Sequence, residues 1–116
     1  VGREWEDIID TQGTDKGNFL IRGVFDITDG RWDDYISLRK SQDEVHQKMG
    51  GLQYSRNFKQ LDQENSALML IRKTSREDHL KYMESHLLTD LRSTGPTGTF
   101  TPQGNEYYEI IDELTK

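Results

Sequence analysis

The sequence predicts one α+β domain, an antiparallel sheet with its helices on a single face. Segments of alternating apolar residues exchange with segments of three-and-four spacing, in the order strand, helix, strand, strand, helix. The chain has 116 residues, the length of one domain. One segment, Ala67–Ile71 (ALMLI), is apolar on both sides of an extended chain and so needs cover on both sides.

Residues 1–18 form an N-terminal extension and residues 19–116 the domain proper. Within the extension Trp5, Ile8 and Ile9 have helical spacing, and a short helix is expected there. Phe19–Ile27 reads as a strand. Phe19, Ile21, Phe25 and Ile27 fall on its core face, and Leu20, Arg22, Val24 and Asp26 on the other. Asp29 is the expected N-cap of a helix over 31–49 with Tyr35, Leu38, Gln42, Val45 and Met49 on its inner stripe. Gly50-Gly51 stops it, because glycine tolerates the left-handed conformation that ends helices.

Leu52–Leu61 reads as the second strand, with Leu52, Tyr54, Arg56 and Phe58 on one face. The short turn before Ala67 makes strands two and three a hairpin. Thr74-Ser-Arg-Glu77 is a capping-box pattern, and one helix is expected from there to Leu91 along Leu80, Met83, Leu87 and Leu91. Residues 93–104 read as a loop. Residues 106–114 fit a helix by propensity and a strand by architecture, and the sequence leaves both open. This order is the split βαβ, or ferredoxin-like, arrangement. Helices cover one sheet face only. A two-fold dimer covers the other without new sequence, and a ligand fits between two facing sheets.

Hydrophobic residues make up 32% and charged residues 31%, a lean core that favours association. The net charge of −6 repels phosphate backbones and anionic lipid, so neither nucleic acid nor membrane is an expected partner. No apolar run approaches a membrane span and Val1 opens no signal peptide, so a cytoplasmic location is expected. The absence of cysteine excludes thiol catalysis and thiolate metal sites.

From Phe19 to Leu91 the chain resembles the antibiotic biosynthesis monooxygenase type of dimeric α/β barrel. The resemblance lies in Gly50-Gly-Leu-Gln-Tyr54 after helix one and the Asp62-Gln-Glu-Asn65 turn. It continues in Thr74-Ser-Arg-Glu-Asp-His79 opening helix two and Glu84-Ser-His86 further along. It implies a ferredoxin-like homodimer that handles a small aromatic or quinol-like molecule, in some members without a cofactor; some relatives degrade haem. The chain departs from the family in carrying Ile71-Arg72 where a Trp is common and Tyr82 where a His is common.

The candidate chemistry follows from these placements. His86 is the expected general base or substrate partner, and Asp26 a second proton-transfer group. Arg22, Tyr54, Trp32 and Tyr82 are the expected substrate-binding residues. Each has a plainer alternative: Arg22 and Asp26 as interface ion-pair groups, Tyr54 and Trp32 as packing, His79 and His86 as half-exposed helix-edge residues. His46 is expected to face solvent. No metal site and no cofactor are expected. The functional expectation is a small-molecule monooxygenase or related enzyme. The alternatives are a non-catalytic dimeric ligand-binding or assembly module and a haem-binding or haem-degrading protein with His79 or His86 on the iron.

Overall fold

The computed structural model describes residues 5–61, 63–94 and 98–111. Its elements are β1 (Trp5–Gln12), β2 (Phe19–Ile27), α1 (Trp32–Met49), β3 (Leu52–Gln60), β4 (Ser66–Lys73), α2 (Arg76–Met83), α3 (His86–Thr94) and β5 (Phe100–Glu109). The sheet runs β1-β3-β4-β2-β5, and every neighbouring pair is antiparallel. Strands β3-β4-β2-β5 with their helices are the ferredoxin-like unit. It is an open sheet in the single chain.

Residues 5–12 are not the expected helix. The 5, 8, 9 spacing comes from a register shift between Asp7 and Ile9, which turns Ile9 inward on a strand. As β1 pairs along β3, it covers an edge that the core unit alone would leave open.

β2 divides its faces as its alternation predicts: Ile21, Phe25 and Ile27 are buried with Ala67, Met69 and Ile71 of β4 in one core cluster. The other face carries Leu20, Arg22 and Val24 beside Leu70 and Leu68. On β3 a register shift separates Leu52 from Tyr54, so Leu52 is buried in the core while Tyr54, Arg56 and Phe58 lie opposite Arg72, Leu70 and Leu68 on the open face.

The N-cap of helix α1 is Arg31 rather than Asp29, and it makes no side-chain cap. The helix ends where glycine allows: Gly50 has φ 78° and its N–H donates to the His46 carbonyl at 3.0 Å. Its inner face is more polar than the apolar stripe predicts. Tyr35, Arg39, Gln42, Asp43, Val45 and His46 are buried, whereas Met49 is exposed. His46, expected in solvent, is 1% exposed.

The expected single helix over 74–91 is two. Ser75, not Thr74, caps α2 by accepting the Asp78 N–H at 3.1 Å. The chain then breaks at Glu84–Ser85, and the Ser85 hydroxyl accepts the Leu88 N–H at 3.1 Å to open α3. The break rephases the leucines. Leu88 is sealed against Val45 and Tyr82, while Leu80, Met83 and Leu87 stay partly exposed. Ser85→Ala is therefore expected to cost about 1 kcal/mol in urea unfolding, through the lost cap.

The stretch expected as a loop through Pro102 and Gly104 belongs to β5. Pro102 lies on an edge strand, beside a register shift against Gly23–Phe25, where a missing N–H breaks no ladder. Residues 106–109 take the strand option left open by the sequence; residues 112–114 lie outside the described residues.

Candidate functional site

A cavity of about 640 Å³ lies between the sheet and the helices, on the face opposite to that holding Arg22 and Tyr54. Its floor is Ile21 and Phe25 of β2 with Met69 and Ile71 of β4. Gly23 lets Asn105 and Met69 approach the strand closely: a Cβ there would meet the Asn105 Oδ1 at 2.7 Å and Met69 Cε at 3.2 Å. Helix α1 contributes Leu38 and Arg39 and, one turn further on, Gln42. Helix α2 contributes His79 and Tyr82, and β5 closes the side with Phe100, Pro102 and Asn105. An apolar basin with a few convergent polar groups is the usual form of a small-molecule site.

The polar groups are unusually bare. Arg39 is 9% exposed; its Nη1 donates to Gln42 Oε1 at 2.6 Å, and its Nε is sealed with no hydrogen-bond partner. The guanidinium lies over Phe25 at 4.6 Å and over Tyr35 and Phe100 at 5.5 Å each. These rings hold it by cation–π attraction. Tyr35 in turn is fixed by donating its hydroxyl to Asn57 Oδ1 at 2.8 Å.

His79 is 7% exposed, and its Nδ1 has no partner. Burial, with the nearby Lys73 and His46, pushes its pKa down to about 4, so the imidazole is neutral at physiological pH. Behind it, Tyr82 stacks on His46 with ring centroids 3.6 Å apart, and the Lys73 ammonium sits 4.5 Å from the Tyr82 ring centre. Burial raises the Tyr82 pKa, so the phenol stays protonated and can donate. Burial also lowers His46, which Asp43 opposes from 3.6 Å.

Of the residues named from sequence, Tyr82 and His79 line this cavity, His79 buried rather than half-exposed. His86 does not: its side chain is 86% exposed and pairs with Asp90 at 3.0 Å. Asp26 is exposed and accepts a hydrogen bond from Gln103. Arg22 pairs across the open face with Glu106 at 2.7 Å, and Tyr54 lies on that same face. Trp32 packs at the edge of the core, donating Nε1–H to Asn65 Oδ1 at 3.2 Å. The structure does not bring these five together at the cavity. Gln42 was expected only on the inner stripe of α1, and Arg39 and Asn105 were not singled out by sequence. Tyr35, Arg39, Gln42 and His46 recur at four, three and four, and that polar helical spacing was the available signal. Among the described residues no group of three or more His, Asp or Glu is placed to hold a metal ion, and no helix is long and apolar enough to cross a membrane.

No protein-family model matches the sequence, and no curated protein matches it. Solved structures do. SnoaB, a cofactor-independent oxygenase from Streptomyces nogalater, superposes with a TM-score of 0.73 at 10% identity, over 86% of this chain and 99% of that one. LmHde, a haem-degrading enzyme from Listeria monocytogenes, gives 0.69 at 13% identity, over 95% and 72%. A monooxygenase candidate from Lactobacillus acidophilus gives 0.64 at 13% identity over 90% of this chain; the chain spans 47% of that protein's length. At these identities the likeness is one of fold. The chain has the ferredoxin-like α+β fold of proteins related to the antibiotic biosynthesis monooxygenases.

Proposed function

We propose that the chain is a small-molecule enzyme of the monooxygenase type, acting on an aromatic or quinol-like substrate in the cavity between its sheet and helices. The observation that carries this reading is the apolar basin itself, about 640 Å³, with neutral His79 and protonated Tyr82 at its wall. In a reaction without cofactor the substrate supplies the electrons. For anthrone, one dioxygen is consumed, one oxygen atom enters the ring as a carbonyl and the other leaves as water. In this reading His79 would accept the substrate's proton and Tyr82 would donate to its oxygen. Arg22, Asp26 and Tyr54 would serve only in a second chamber between two facing sheets. The open face, with Leu68, Leu70, Phe58 and Val24, is proposed to be covered by a second copy of the chain.

An oxygen electrode tests the reading with anthrone and a series of hydroquinones. Stoichiometric dioxygen uptake is expected, with a rate at least roughly tenfold lower in His79→Ala and Tyr82→Phe. A second reading, haem as substrate, is favoured by the placing of His79 in the cavity wall. A haemin titration would then show a Soret shift that His79→Ala removes. With neither uptake nor shift, the non-catalytic ligand-binding module is what remains.

A further inference from the structure

We propose that the cavity's ligand is a carboxylic acid with an apolar, ring-sized body, and that Arg39 seats its carboxylate. The proposal rests on the helix-side cavity being the functional site. Its grounds are charge and geometry. The chain carries 21 acidic residues against 15 Lys and Arg, yet no Asp or Glu is among the described residues lining the cavity. Arg39 and Arg92 both line it. Arg92 is exposed at the rim, while Arg39 is buried. Among the described residues no carboxylate stands within ion-pair distance of Arg39. The acid one turn along, Asp43, accepts from Thr11 Oγ1 at 2.9 Å and lies 3.6 Å from His46.

A desolvated guanidinium without a counter-ion is costly, and a fold that retains one has a place for an anion. The guanidinium is held against Phe25, Tyr35 and Phe100, with Nη1 engaged by Gln42 and Nε sealed, so Nη2 is the donor left for a ligand. Nη2 can give one carboxylate oxygen a charge-assisted hydrogen bond. With Nη1 engaged by Gln42, one guanidinium balances one negative charge rather than the two of a phosphate monoester. The surrounding Ile21, Phe25, Met69 and Ile71 call for an apolar body beyond that charge.

The three methionines make the test direct: Met69 and Met83 line the cavity and Met49 does not. Methyl-labelled methionine NMR on the whole chain, titrated with 2-naphthoate and with its neutral counterpart 2-naphthamide, is expected to move Met69 and Met83 and leave Met49 still. Naphthoate should bind about tenfold more tightly than naphthamide, and Arg39→Gln should abolish that preference while leaving naphthamide affinity within about twofold. Arg39→Lys should restore part of it. Equal naphthoate affinity in wild type and Arg39→Gln, still read at Met69 and Met83, overturns the carboxylate assignment and leaves the cavity reading standing. No movement of Met69 and Met83 with either compound overturns both. Should Arg39→Gln fail to fold, a wild-type protein that prefers naphthamide over naphthoate overturns the assignment by itself.

Discussion

Lys73→Met is expected to make the protein more stable at pH 7, by about 1–2 kcal/mol. Lys73 is wholly buried beneath Tyr82, and its Nζ has no hydrogen-bond partner. Burial pulls its pKa down to about 8, against an opposing pull from Asp78. The folded-state value lies below the unfolded 10.5, so the unfolded chain holds this proton more tightly. The destabilisation is complete below pH 8 and is relieved as pH rises toward 10.5. At about 1.4 kcal/mol per pH unit, it amounts to about 3 kcal/mol at pH 7. Methionine removes that cost at similar volume, and the lost cation–π contact returns part of the gain.

The same linkage predicts that the wild type gains about 2 kcal/mol between pH 8 and 9.5 and that Lys73→Met does not. Above about pH 10 the sign reverses, because burial raises Tyr35 and Tyr82 and only the unfolded tyrosines ionise there. Urea unfolding at fixed pH values measures both limbs. A less stable Lys73→Met with a flat pH dependence in the wild type would show that the ammonium has a partner.

On the acid side the largest single contribution is expected from His79. Its folded value of about 4 lies below the unfolded 6.5. Its stabilising contribution is therefore full above pH 6.5 and is lost as pH falls toward 4, by about 3 kcal/mol in all. His46, lowered by burial, acts in the same direction. His79→Gln, which carries no charge at either pH, should remove most of this limb while leaving the His46 share. Proton NMR supplies the independent reading: the His79 ring resonances should show the neutral imidazole at pH 5.5. A His79 that titrates near 6.5 contradicts the buried, neutral imidazole on which the proposed chemistry depends.

These two residues also show where the sequence was readable. The faces of β2, the glycine stop of α1 and the β3–β4 hairpin follow from local rules: alternation, positive φ and a short turn. The break between α2 and α3 does not, because the leucine spacing runs through it and a single Ser85 hydroxyl decides otherwise. β5 was obscured because Pro102 and Gly104 carry loop chemistry that an edge strand tolerates. The site was hidden for a different reason. His46 reads as solvent-facing and His79 as half-exposed, and no local apolar pattern marks Arg39 or Lys73, whereas tertiary packing seals all four around Tyr82 and the cavity. Tyr82 was named through family resemblance, and Arg39 needed the fold.

The central claim is that the ligand binds between helix and sheet rather than on the open sheet face. A crystal structure of the 2-naphthoate complex tests it most directly. The naphthyl rings should lie over Ile21, Met69 and Ile71 with the carboxylate on Arg39. Rings seated instead against Tyr54, Leu68 and Arg22 would contradict it.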